Sequence, residues 1–132
     1  RSGMRIYAAP SFRDALWVVS HGARVDYDWN EARGARAFEA ALALVDEARA
    51  HPCGRLGGMV SPAHGDTCTD QTLRGAMAVA RDKGLPWQTH LSQTVIEFQE
   101  TVRRTGLTPI QRMRDLGVLC GNATIVHGIF TD

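Results

Sequence analysis

The chain has 132 residues, 44% hydrophobic and 22% charged, which is enough for one domain with a real core and excludes a disordered segment. A formal net charge of +1 gives no electrostatic reason to expect nucleic acid or an anionic membrane surface as a partner. Three cysteines without paired short spacing (Cys53, Cys68, Cys120) read as reduced thiols of a cytoplasmic protein, and the absence of a leader or of an apolar run near about 18 residues argues against secretion or membrane spanning.

"MRIYAAP", Met4 to Pro10, is a short apolar run closed by proline and is expected to be the first strand. After a polar, aromatic stretch a long helix follows, with Gly34, Phe38, Ala41, Val45 and Ala48 on one face and Asp28 or Asn30 as its cap. "RLGGMVSP" is a second strand candidate, ending at Pro62 and weakened by its glycines. "TDQTLRGAMAVARDKG" reads as a helix capped by Thr69 and stopped by Gly84, burying Leu73, Ala76, Met77 and Ala80. "LPWQTHL" is the third strand, followed by a helix through Val95, Phe98 and Val102 that ends before Gly106. Thr108 and Pro109 open a further short helix as cap and first helical residue, and "ATIVHG" is the fourth strand.

Strands alternating with helices of this length imply right-handed parallel units, hence an α/β fold. In such folds ligands gather at the carboxyl ends of the strands, where His90 and His127 both fall. A lone histidine there is more often structural, but two at equivalent positions on consecutive strands make metal ligation an even match for that reading. A catalytic metal site needs about three protein ligands and an open position. The five histidines, His21, His51, His64, His90 and His127, include no His-x-His and no His-Glu-x-x-His, so the chain holds no complete ligand set in its sequence.

"THLSQTVIEFQETVRRTGLTPIQRMRDLGVLCGNATIVHGIFTD" resembles the fifth-to-sixth strand segment of the amidohydrolase superfamily, in the branch of cytosine and S-adenosylhomocysteine deaminases and triazine chlorohydrolases. That family pattern is a strand ending in His, then Ser-Glu-Thr, a helix, Gly-x-Thr-Pro, a Leu-Gly-x-Leu turn and a strand ending in His and a small residue. "GMRIYAAPSFRDALW" is similar to the family's third strand and loop, and "SPAHGDTCTDQTL" to its fourth strand exit.

The resemblance implies one domain, residues 1–132, forming part of a (β/α)8 TIM barrel: about four parallel strands with outer helices, equivalent to barrel strands three to six. A whole barrel takes about 250 residues, so this segment is expected to be incomplete and inactive by itself. It implies a metal-dependent hydrolase that deaminates or dechlorinates a nitrogen-rich heterocycle or cleaves a related C–N bond. The alternative is a binding or regulatory relative that has lost turnover.

By the same resemblance His90 is the ligand of one divalent ion, Zn or Fe, and His127 ligates or holds the attacking water. Gln93 stands where the family has its proton-carrying glutamate, and glutamine cannot carry a proton. His64, Thr67, Cys68, Phe12 and Arg13 are candidates for substrate contact, with loop capping as the competing role for each. The only lysine, Lys83, lies at a helix end, which disfavours a carboxylated bridging lysine and favours one metal over two. The expected partner is a small heterocyclic substrate, with no nucleic acid and no membrane, and a homo-oligomer is expected for the full-length protein.

Overall fold

Pro10 closes the first expected strand, because it has no N–H to give to a ladder, and pairing resumes beyond it. The computed structural model, which describes residues 3–20, 22 and 24–131, has β1 at Ile6–Ala8 and β2 at Ser11–Phe12 on either side of it. The second expected strand breaks in the matching place, into β5, Leu56–Gly58, and β6, Ser61–Pro62. The pairing is parallel throughout, Ile6 with Leu56 and Phe12 with Pro62. Two bonds carry the ladder across and beyond the break, Met59 N–H to Ala8 O at 2.9 Å and Ala63 N–H to Phe12 O at 2.8 Å.

β7, Trp87–Leu91, pairs in parallel with β8, Ala123–His127, in a register that sets His90 against Val126 and Leu91 against His127. Parallel bridges from Val60 to Trp87 and from His64 to His90 join β7 to the β5/β6 run. The parallel runs therefore follow one another in chain order, each beside the next. The fold is mixed α/β, as expected.

The helices form where the spacing places them. α1, Glu31–Ala50, is capped by Asn30, whose side chain accepts from Arg33 N–H, and it buries Gly34, Ala41 and Val45. α2, Asp70–Asp82, is capped by Thr69 and buries Leu73, Ala76, Met77 and Ala80, the expected stripe. α4, Pro109–Asp115, starts with a reciprocal Thr108–Gln111 capping box. α1 packs on β1, β2 and β5, and α2 on β6 and β7, around a core that includes Phe12, Val45, Leu73, Met77, Trp87, Leu91 and Met113.

Two features depart from expectation. The polar, aromatic stretch is an antiparallel hairpin, β3 (Ala15–Ser20) against β4 (Arg24–Trp29). His21, at its turn, lies outside the described residues. In α3, Val95–Thr105, the buried residues are Glu97 and Thr101, whereas Val95 and Val102 stay exposed. The reason is a polar clamp described below.

Gly34 shows how tightly the site's foundation is packed. A Cβ there would collide with the Asp14 carboxylate and come within 3.0 Å of Asp14 Cα. Asp14 cannot retreat, because its N–H donates to Thr67 O, its carbonyl accepts from Asn30 N–H and its Oδ2 accepts from Thr69 N–H. Gly34→Ala is expected to cost about 1–3 kcal/mol, read as a lowered unfolding midpoint, despite the better helix propensity of alanine.

Candidate functional site

Four aromatic side chains from four successive segments stand in a row at the carboxyl ends of the parallel strands. Trp17 of β3 lies against His64 with ring centroids 4.5 Å apart, His64 against His90 at 4.8 Å, and His90 against His127 at 5.3 Å. The two strand-terminal histidines are thus within the roughly 7 Å that one ion of about 2 Å metal–nitrogen distance could bridge.

His90 has a defined tautomer. Its Nδ1 lies 2.8 Å from Ala63 O, and a carbonyl can only accept, so Nδ1 carries a proton and the lone pair of the neutral imidazole is on Nε2. This is the arrangement in which a metal-binding imidazole is usually held. His64 sits between two rings with Nδ1 buried and without a hydrogen-bond partner. Burial lowers its pKa to about 4, opposed by Asp66 and reinforced by His90, Arg13 and His127, so it is neutral at pH 7.

The strand exits are conformationally special. Ser92, just after β7, has φ 56°, and His127, the last residue of β8, has φ 78°, a region that non-glycine residues seldom occupy. Bonds on all sides hold both exits. Ser92 N–H and Gln93 N–H donate to the two carboxylate oxygens of Glu97 at 2.8 and 2.7 Å, while Ser92 O accepts from Ile129 and Phe130. Gly128 N–H donates to Leu91 O. Burial raises the pKa of Glu97 and the bonds from Gln93, Ser92 and Thr94 oppose it. This clamp is why a glutamate faces inward on α3 and Val95 outward.

On the β6 side, Arg112 of α4 is almost completely buried and donates to Gly65 O, Cys68 O and the Asp70 carboxylate, so the loop carrying His64 is held from beneath.

The expected site residues divide. His64, His90 and His127 come together at the strand ends, and Gln93 follows β7 on the hairpin side. Gln93 has a buried Oε1 without a partner and lines a cavity of about 260 Å³ under the hairpin. Arg13 is half-buried and close enough to disfavour protonation of His64. Phe12, Thr67 and Cys68 are instead packed and tied: Phe12 lies 4.5 Å from Phe38, and the Thr67 hydroxyl donates to His64 O. Burial pushes the Cys68 thiol up to about 12, the state of a core residue. Asp66, Trp17, Tyr27, Glu97 and Arg112 were not singled out from the sequence. Asp66 is fully buried and accepts from Trp17 Nε1 at 3.0 Å and from the Tyr27 hydroxyl at 2.6 Å. Among the described residues no group of three or more His, Cys, Asp or Glu side chains is placed to hold an ion.

The chain is similar to a 5-methylthioadenosine/S-adenosylhomocysteine deaminase of Lawsonia intracellularis, 37% identical over 73 residues, which are 55% of this chain and 17% of that protein. It is also similar to the enzyme of the same description from Symbiobacterium thermophilum, 31% identical over 100 residues, 70% of this chain and 23% of that protein. These relatives are deaminases of the amidohydrolase superfamily, the family that the sequence resembles. No family model matches the chain. Among solved structures the chain is similar in fold to atrazine chlorohydrolase of Arthrobacter aurescens complexed with zinc, with TM-score 0.75 and 18% identity over 98% of the chain and 28% of that structure. The chain thus spans less than a third of the length of each of these proteins.

Proposed function

We propose that this chain is part of a single (β/α)8 barrel domain whose full-length protein hydrolytically deaminates or dechlorinates a nitrogen-rich heterocycle with the help of one divalent ion, zinc or iron. The observation that carries this reading is the pair His90 and His127, on adjacent parallel strands, 5.3 Å apart, with His90 Nε2 left free by the bond from Nδ1 to Ala63 O. Parallel runs in consecutive order and the exposed apolar residues Ile6 and Tyr7 of β1 support continuation of the sheet by further strands.

The two imidazoles suit such an ion, and the rest of its ligands lie in other parts of the full-length protein. A bound ion would supply the Lewis acidity that brings the pKa of a water near neutrality. His90 would hold the ion. His127 would ligate it or orient the attacking water. His64, neutral and set between Trp17 and His90, would hold the aromatic row in place beside the substrate, with Arg13 next to it. Gln93 can orient a polar substrate atom but cannot pass a proton to the ring or the leaving group. No helix among the described residues is long and apolar enough to cross a membrane, and the unpaired thiols Cys53, Cys68 and Cys120 suit the cytoplasm.

The test is turnover of a panel of aminated and chlorinated heterocycles, adenosine derivatives, guanine and triazines among them, by the full-length protein loaded with zinc or iron. Metal-dependent release of ammonia or chloride is the expected result. Binding of the heterocycles without any release would instead establish the binding or regulatory alternative.

A further inference from the structure

The cavity under the hairpin is a second recognition feature, apart from the pair His90 and His127. It encloses about 260 Å³ and its walls are largely apolar, with Trp17, Val19, Tyr27 and Ile96 among them. Asp66 and Gln93 are also on its wall, and each has a buried oxygen, Asp66 Oδ1 and Gln93 Oε1, without a hydrogen-bond partner. A buried acceptor left unpaired costs about 1–3 kcal/mol, and more when it belongs to a carboxylate.

The rest of Asp66 is accounted for. Its Oδ2 accepts from Trp17 Nε1 and from the Tyr27 hydroxyl, and both are neutral donors. Arg104 donates to the Asp66 backbone carbonyl at 2.7 Å, stacks over Tyr27 and Trp29, and pairs with Glu100. Among the described residues, therefore, the carboxylate has no ion-pair partner within 4.0 Å, although it faces an apolar cavity. Such a carboxylate is worth most to a ligand that brings both a positive charge and N–H donors.

We infer that the hairpin cavity is a binding subsite for a cationic N–H group, an amidinium or protonated amine on a small flat apolar body, with Asp66 Oδ1 as its principal acceptor and Gln93 Oε1 as the second. Its volume lies just below the roughly 300–1,000 Å³ of sites that enclose whole drug-sized ligands, so it takes one ring or one arm of a larger molecule. Through Trp17, which both donates to Asp66 and lies against His64, the occupant would sit next to the aromatic row. The inference does not need a metal at His90.

Benzamidine is the probe, with benzamide as its uncharged counterpart, titrated calorimetrically into the full-length protein stripped of metal. Benzamidine should bind at least about tenfold more tightly than benzamide, the scale of one charge-assisted hydrogen bond. Asp66→Asn should abolish that preference. Because Asp66 also anchors the hairpin, Ile96→Trp provides a second variant, which fills the cavity from its exposed rim and leaves the Asp66 bonds intact. It should weaken benzamidine binding by at least about tenfold. Equal binding of the two probes, or benzamidine binding unchanged by Ile96→Trp, overturns the subsite. Loss of metal-dependent turnover with the benzamidine preference intact would count against the proposed reaction and leave the subsite standing.

Discussion

Replacing His90 with alanine is expected to strip most of the metal from the full-length protein and to lower its turnover by at least about a hundredfold, since even a residue that merely supports a ligand is worth about 10–100-fold in affinity or activity. The fold should survive, because His90 is only partly buried and the one hydrogen bond of its side chain goes to a backbone carbonyl at the end of the strand. His127→Ala should behave differently. His127 is exposed and ends β8 with φ 78°, so alanine there should remove activity before it removes metal. Metal content by elemental analysis, measured beside turnover, separates the two. Equal metal content in wild type and His90→Ala would refute the role given to His90.

The second large effect is expected at Gln93. Its backbone N–H is fixed by Glu97 and its side chain reaches the cavity beside the aromatic row, so the position is built to present a functional group. Glutamine can donate and accept hydrogen bonds but has no proton to exchange near neutral pH. Gln93→Glu should therefore raise deaminase turnover by at least about tenfold, below the usual 10²–10⁴-fold worth of a positioned acid or base, because a third carboxylate would stand near Asp66 and Glu97. The gain should appear on substrates whose leaving group needs protonation and be smallest for chloride. A fall in turnover with metal content unchanged would mean that the amide itself serves the reaction.

What could be read from the sequence was whatever depends on local spacing. α2 follows because Leu73, Ala76, Met77 and Ala80 recur at helical intervals behind a threonine cap, and α4 because Thr108, Pro109 and Gln111 form a capping sequence. His90 and His127 could be placed at strand ends for the same reason. The hairpin could not. Trp17 and Tyr27 gain their place from Asp66, 49 and 39 residues away, and no local pattern reports such a contact. Glu97 was hidden in a similar way. On a helix it reads as a solvent-facing charge, and only the left-handed turn at Ser92, taken by a residue that is not glycine, brings two N–H groups within its reach. The apolar pattern of α3 was misleading because a hydrogen-bonded carboxylate outweighed Val95 and Val102 in setting its buried face.

Anomalous diffraction from crystals of the zinc-loaded full-length protein measures directly whether His90 and His127 face one ion. A single zinc peak is expected about 2.0–2.1 Å from His90 Nε2, with His127 either coordinating it or bonded to its water. A stoichiometric zinc bound elsewhere, with the His90 imidazole in contact with neither metal nor substrate, would contradict that arrangement.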